Sequence, residues 1–171
     1  MRASGGLHAA IALVIGVLLL STVPAPARAG EWGMIVAGTS VMQDVRSRYG
    51  EPTRITVQKV EARDSTQWIY EGAQAPVGMT RMTLDFGLLT PAGYRPEIVR
   101  SFTLQPKPGI FTRTTIVNGW GVPRVPPGSG NPMFFYEEGL LVAFDKEGWM
   151  VESMTFTPPQ PHQPDPAPAP R

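Results

Sequence analysis

Six short runs of alternating apolar and polar residues indicate strands in the body of the chain. In each run every second side chain is aromatic or aliphatic, which is the two-residue period of a strand with one buried face. The last two runs are joined by Asp145-Lys146-Glu147-Gly148, a hairpin turn. The runs that predict strands are 67–71, 82–86, 99–104, 134–137, 140–144 and 151–156.

Two other segments have the features of short helices. Ser40 is a suitable N-cap, and Val41, Val45 and Tyr49 follow at helical spacing. The second segment, 112–120, is rich in β-branched residues, which favours a helix of only a turn or two. Both segments end in the same motif, Tyr49-Gly50-x-Pro52 in the first and Trp120-Gly121-x-Pro123 in the second.

The same order of elements occurs twice, which predicts a duplicated unit. We expect an α+β fold, a tandem repeat of one helix plus three antiparallel strands, with the helices packed on one face of the sheet. The first unit is expected at 30–107 and a shorter second unit at 108–157. A signal peptide at 1–29 precedes them, and the proline-rich segment 158–171 is expected to be a disordered, solvated tail.

Alternation also assigns the two faces of the predicted sheet. The large apolar residues share one face and are expected to pack under the helices. The other face carries mainly Thr, Ser, Asp and Glu, but Ile69, Phe135 and Leu141 interrupt it. Because the core does not require Phe135 and Leu141, they are preferred contact residues. The expected partner-binding set is these three residues, Glu137 on the same face and Trp120 at the end of the second helix.

The N-terminal segment has the three parts of an export signal. Arg2 gives a basic start, an apolar run follows at 9–20, and Ala27-Arg28-Ala29 is a small-x-small cleavage site. The alternative is a retained anchor, but a spanning helix needs about 20 apolar residues and this run is shorter. The mature protein is therefore expected in the periplasm or outside the cell.

The composition argues against several classes of function. The chain has no cysteine, and its histidines are His8 and His162, so the body between them lacks thiol and imidazole chemistry. Removing Arg2 and Arg28 from the 15 Lys and Arg leaves 13 against 14 Asp and Glu, a balance atypical of nucleic-acid binding. We expect no catalytic residue, no metal, no small-molecule cofactor and no nucleic-acid partner.

Carboxylates are the remaining strong acid–base groups. A paired-carboxylate glycosidase is therefore an alternative, and a calcium site is another. A glycosidase acid lies in an apolar pocket, whereas Glu138-Gly139 and Asp145 to Gly148 are predicted to be exposed hairpin turns. The spacing of Asp145 and Glu147 does not match a calcium loop. Solvated turn charges are the simpler interpretation. The acids concerned are Glu137, Glu138, Asp145, Glu147 and Glu152.

A capped helix, then Tyr/Trp-Gly-x-Pro, then W-x-Y, L-x-F and V-x-S-F strands, resembles the SmpA/OmlA (BamE-like) family of envelope lipoproteins. It is also similar to the tandem-repeat fold of β-lactamase inhibitory proteins. The likeness covers 34–104 and 110–157. It implies a non-enzymatic helix-on-sheet domain that supports outer-membrane assembly or blocks a hydrolase with its exposed sheet face. The chain lacks the cysteine to which those lipoproteins attach lipid, so no binding residue is transferred from them.

Three functional hypotheses follow. The first is a non-catalytic exported interaction protein of the cell envelope, whose partner is an envelope protein or an outer-membrane assembly component bound at the exposed sheet face. The second is an inhibitor of a periplasmic hydrolase. The third is a carboxylate-dependent enzyme acting on envelope polysaccharide, which would use Glu137 or Glu152.

Overall fold

The computed structural model describes residues 31–60, 63–124 and 133–159, and within these ranges it contains nine strands and two α-helices. About 55% of these residues are extended and 16% are helical, so sheet dominates the fold. The helices are α1 (Met42–Tyr49) and α2 (Arg113–Trp120). The strands are β1 (Glu31–Trp32), β2 (Ile35–Val36), β3 (Arg54–Val60), β4 (Arg63–Glu71), β5 (Met79–Thr90), β6 (Gly93–Pro106), β7 (Met133–Tyr136), β8 (Leu140–Phe144) and β9 (Val151–Phe156).

Strands β3 to β9 form a single antiparallel sheet, the main sheet, in the order β3-β4-β5-β6-β9-β8-β7. The long strands β5 and β6 lie near its centre, and β9 joins β6 through the pair Thr103 and Thr155. β1 and β2 form a separate hairpin. The edge strands of the main sheet are therefore β3 and β7.

The predicted inner face of the sheet is confirmed. Its side chains form one core with Ile35 of β2, Val45 of α1 and Ile116 of α2. The core is tightly packed at the sheet centre, where Phe102 and Phe156 stack with ring centroids 4.5 Å apart. The buried strand residues expected from alternation are Trp68, Tyr70, Met82, Leu84, Phe86, Phe102, Leu104, Phe134, Tyr136, Leu140, Val142, Phe144, Met154 and Phe156.

The helix N-termini are stabilised by side chains three residues into each helix. The Asp44 carboxylate accepts the N–H of Val41 at 2.8 Å, and the hydroxyl of Thr115 accepts the N–H of Thr112 at the same distance. Ser40, the expected N-cap, instead accepts the N–H of Val36 at 3.0 Å. Its hydroxyl thus ties α1 to the β1–β2 hairpin.

The expected tandem repeat of one helix plus three antiparallel strands is wrong. Four strands follow α1, because Arg54–Val60 forms the edge strand β3, to which the sequence analysis assigned no element. Ile55 and Val57 of this strand are 51% and 62% exposed, so its apolar residues do not contribute to the buried core. The described chain is mostly sheet with two eight-residue helices. This architecture also overturns the resemblance to the SmpA/OmlA (BamE-like) family and the β-lactamase inhibitory proteins.

The predicted signal peptide at 1–29 and residues 160–171 of the predicted tail lie outside the described residues. Across the ranges that the structure describes, no helix is long and apolar enough to cross a membrane. The expected boundary between the two units, at 107 and 108, falls in the connection from β6 to α2.

Candidate functional site

The face of the main sheet opposite the core, the outer face, carries a row of side chains across its whole width. The strand register places one residue of each strand in this row and adds Arg124, which bridges to β7. We call it the outer row; it consists of Arg54, Ile69, Thr83, Thr103, Thr155, Leu141, Phe135 and Arg124.

The middle of the outer row is polar. The hydroxyls of Thr103 and Thr155 are 3.0 Å apart and share a hydrogen bond across β6 and β9. Beside them, the Asp85 carboxylate accepts the Gln67 amide at 2.9 Å and the Ser101 hydroxyl at 3.4 Å. These side chains satisfy one another, so the centre of the outer face is an ordinary solvated sheet surface.

The end of the outer row at β7 and β8 is apolar. Phe135 and Leu141 are directly opposite each other in the β7–β8 pair, on the face that alternation predicted. Both are half-buried, and neither belongs to the core. Cross-strand pairs of this kind present a continuous apolar surface, since their Cβ atoms lie about 5 Å apart.

Ile69, near the other end of the outer row, offers a partner little surface. Its side chain is only 8% exposed, although it lies on the outer face and outside the core cluster. Its neighbours in the row are Arg54 and Thr83. The aliphatic part of a neighbouring arginine commonly covers an apolar residue in this way.

Arg124 extends the sheet beyond β7. Its backbone N–H and C=O each make a 2.9 Å hydrogen bond to Phe135, and its guanidinium lies 2.7 Å from the Glu137 carboxylate. No sequence pattern marks this residue as part of the site. Arg124 lies between Pro123 and a second proline two positions later, and prolines argue against a strand because they cannot donate to a ladder.

Trp120, Phe135 and Glu137 come together at the β7 edge. They line a hollow of about 320 Å³, the edge hollow, at the C-terminal end of α2. The indole N–H of Trp120 is buried, and among the described residues no atom accepts it. Val122, at the rim, is 90% exposed. The complete lining is Trp120, Val122, Arg124, Phe135, Tyr136, Glu137 and Glu138.

Tyrosines on the inner face fix the ends of both helices. The Tyr136 hydroxyl donates to the carbonyl of Gly121 at 3.1 Å, and the Tyr70 hydroxyl donates to the carbonyl of Gly50 at 3.0 Å. Burial raises the pKa of Tyr136. Burial, with a smaller effect from the nearby Glu51 carboxylate, raises the pKa of Tyr70 to about 12. The wall of the edge hollow is therefore held by a hydrogen bond from β7 to the end of α2.

A wider cleft of about 640 Å³ lies beside the C-terminal end of α1. Tyr49, Trp32 and the segment 73–77 line it. None of the expected partner-binding residues is part of this cleft, which separates it from the β7 edge.

The acids that an enzyme would need occupy structural or exposed positions. Glu137 pairs with Arg124, and the Asp145 carboxylate accepts the N–H groups of Trp149 and Met150 at 2.8 and 3.2 Å, which closes the β8–β9 turn. Glu138 and Glu152 are exposed. In the part of the chain that is described, no three acidic, histidine or cysteine residues cluster in a way that would hold a metal ion.

Neither the protein-family models nor the curated proteins compared with this chain match it. Among solved structures, the chain is similar to a DUF4309 family protein, YjgB, from Bacillus subtilis subsp. subtilis str. 168. The TM-score is 0.45 and the sequence identity is 12%, over 72% of this chain and 82% of that chain.

Proposed function

We propose that this protein is a non-catalytic, exported interaction protein that binds a partner protein at the β7 edge of its outer face. One observation carries the proposal. Trp120, Phe135 and Glu137, selected from sequence for different reasons, line one hollow, and Leu141 adjoins it across the β7–β8 pair.

The composition of the β7 edge is typical of a protein contact. Aromatic residues and arginine supply most of the binding energy at protein interfaces, and this edge combines Trp120, Phe135 and Arg124. The edge hollow, at about 320 Å³, is at the lower limit for a small-molecule site. It suits one side chain of a partner better than a cofactor.

The ion pair at this edge would contribute orientation rather than strength. The side chains of Arg124 and Glu137 are 56% and 40% exposed, so their attraction is screened by solvent. A charged rim around an apolar contact steers association and disfavours wrong partners. The apolar pair Phe135 and Leu141 would then supply most of the buried area.

The expected signal peptide places this interaction in the cell envelope. The partner is accordingly another exported or envelope protein. If the partner proves to be a hydrolase, its inhibition by the added protein decides between simple association and the inhibitor hypothesis.

Photo-crosslinking in living cells tests this proposal. A photo-reactive amino acid replaces Leu141 or Val122 in the full chain, and Glu51 provides the matched control. Glu51 follows Gly50 at the end of α1 as Val122 follows Gly121 at the end of α2, and both residues are exposed. We expect an adduct of one discrete mass at Leu141 and Val122 and none at Glu51. Equal adducts at all three positions, or none at any, would contradict the proposal.

The enzyme alternative has its own test. Purified protein is incubated with envelope polysaccharide, and released sugar ends are measured for the wild type and for Glu137→Gln and Glu152→Gln. The proposal expects no turnover by any of the three. Turnover by the wild type that disappears in either variant would replace the binding proposal with a carboxylate mechanism.

A further inference from the structure

A second hollow in the outer face lies at the other end of the sheet, where β4, β5 and β6 meet. Its volume is about 270 Å³, and we call it the basic corner. It shares no residue with the edge hollow. The basic corner is lined by Val60, Arg63, Ser65, Gly87, Leu88, Leu89, Tyr94 and Arg100.

The floor of the basic corner is fixed by hydrogen bonds within the protein. The Tyr94 hydroxyl donates to the backbone carbonyl of Asp64, and the Ser65 hydroxyl donates to the carbonyl of Phe86 at 2.8 Å. Ser65 is only 1% exposed. Neither hydroxyl proton is therefore available to a ligand.

Gly87 allows the Tyr94 hydroxyl to approach the backbone of β5 closely. Its φ is 98°, a conformation that favours glycine, and a Cβ atom there would collide with the Tyr94 hydroxyl. The backbone register shifts on both sides of Phe86, so the strands bulge beside the hollow. Gly87 therefore determines both the local backbone conformation and the shape of the hollow.

The donors that remain in the basic corner are two guanidinium groups. Arg63 lies over the Tyr94 ring, 5.6 Å from its centroid, and Arg100 lines the same hollow. Within the described ranges, neither arginine has a carboxylate within ion-pair distance. The other arginines of β3, β5 and β6 are paired, namely Arg54 and Arg81 with Glu71, and Arg95 with Glu97.

Within the described ranges, the two acidic residues Asp64 and Asp85 near the basic corner are engaged elsewhere. Asp64 pairs with Lys59 at 2.8 Å, and Asp85 accepts hydrogen bonds from Gln67 and Ser101. Two like charges that share a small hollow repel each other. A bound anion removes this repulsion and receives charge-assisted hydrogen bonds, which guanidinium groups direct well to planar or tetrahedral oxyanions.

We propose that the basic corner binds a compact oxyanion, a carboxylate, sulfate or phosphate group, between the guanidiniums of Arg63 and Arg100. The volume of about 270 Å³ is below the usual range for larger ligands, so the ligand is one small anionic group. The Tyr94 ring forms its wall. This inference does not depend on the partner proposed for the β7 edge, because the two hollows share no residue.

An NMR titration of the isotope-labelled protein tests this site. Acetate, sulfate and phosphate are added separately at constant ionic strength, with chloride as the compensating ion. We expect saturable shifts of the Arg63 and Arg100 side-chain signals and of the Gly87 amide. The anion with the lowest dissociation constant among the three identifies the preferred chemistry.

Arginine variants complete the test. Arg100→Gln is expected to weaken binding about tenfold or more, since a hydrogen bond to a charged group is lost. The matched control is Arg95→Gln, which removes one charge from the same strand but from the pair with Glu97; it should leave the affinity unchanged. Arg63→Gln should act like Arg100→Gln, and a thermal melt verifies that each variant is folded.

Two outcomes would overturn the proposal. Shifts that never saturate for any anion would indicate an adventitious ion only. Equal weakening by Arg95→Gln and Arg100→Gln would show that net charge, rather than this hollow, attracts the anion. If Arg63→Gln does not fold, the comparison of Arg100→Gln with Arg95→Gln decides alone.

Discussion

The junction of α1 with β4 and the junction of α2 with β7 use the same contacts at different places in the sheet. In each, a tyrosine of the strand donates to the carbonyl of the glycine that ends the helix. In each, an arginine of the helix lies over an aromatic ring of that strand, at 4.9 Å for Arg46 over Trp68 and 4.8 Å for Arg113 over Phe134.

The junctions differ in what lies beside them. β4 is an inner strand because β3 pairs with it, whereas β7 is an edge strand among the described residues and is extended by the bridge from Arg124. At the first junction Ile69 is buried, and Tyr49 packs 6.0 Å from the Tyr70 ring. At the second, Trp120 borders the edge hollow. The extra strand β3 therefore leaves β4 without a free edge at the first junction, where the cleft of about 640 Å³ lies beside Tyr49. At the second junction the edge of β7 borders a hollow instead.

Truncating the buried residue of each helix should cause the largest loss of stability at the two junctions. Ile116 of α2 and Val45 of α1 are both fully buried. Ile116→Ala should lower the free energy of unfolding by about 2–5 kcal/mol, and Val45→Ala by less because fewer methyl groups are lost. Urea denaturation of both variants measures this. A loss below about 1 kcal/mol for Ile116→Ala would show that α2 is not part of the core.

Removing either of the two tyrosine hydroxyls should have a moderate effect on the free energy of unfolding, and for Tyr70 this effect depends on pH. Tyr70→Phe and Tyr136→Phe should each lower the free energy of unfolding by about 1 kcal/mol near neutral pH, because each leaves a glycine carbonyl without its donor. Tyr70 has a raised pKa, about 12 against an ordinary 10.0, so the folded state favours its protonated form. Its contribution is complete below pH 10.0 and is lost as the pH rises toward about 12.

Denaturation between neutral and strongly alkaline pH measures this effect. The wild type should lose stability above pH 10.0, and the loss should be shallower in Tyr70→Phe. Tyr136→Phe is the control at the second junction, where burial also raises the pKa of the tyrosine. Identical alkaline slopes in the wild type and Tyr70→Phe would contradict the assigned hydrogen bond and burial.

Trp120→Phe should have the smallest effect on stability. The substitution reduces packing, but it also removes a buried N–H that has no acceptor among the described residues, and these changes oppose each other. We expect a free energy of unfolding within about 1 kcal/mol of the wild type. A loss much larger than this in urea denaturation would show that the indole N–H has an acceptor or that the ring is a core residue.

Most strands were predictable from sequence because their alternation reflects real burial. Trp68, Tyr70 and Leu84 are examples whose assigned face is correct. The edge strand β3 was not, since its apolar alternation is limited to Ile55 and Val57 and is broken by Lys59, and neither apolar residue is buried. The tandem repeat failed for this reason.

The candidate site was predictable only in part. The alternation of residues along the strands placed Phe135 and Leu141 correctly on the outer face. It could not show that Ile69 on the same face is buried, because burial there depends on side chains of neighbouring strands. Arg124 was missed because its contact with β7 is set by tertiary structure between prolines. The basic corner was missed because Arg63 and Arg100 lie far apart in sequence.

The most direct test compares the two ends of the outer row. The partner captured at Leu141 and Val122 is purified, and its affinity is measured for the wild type, Phe135→Thr and Ile69→Thr, at a temperature where circular dichroism shows all three to be folded. We expect Phe135→Thr to weaken binding by about thirtyfold or more, as truncation of an interface hot spot does, and Ile69→Thr to leave the affinity unchanged. Full affinity for Phe135→Thr, or equal weakening by both substitutions, would contradict a binding surface at the β7 edge.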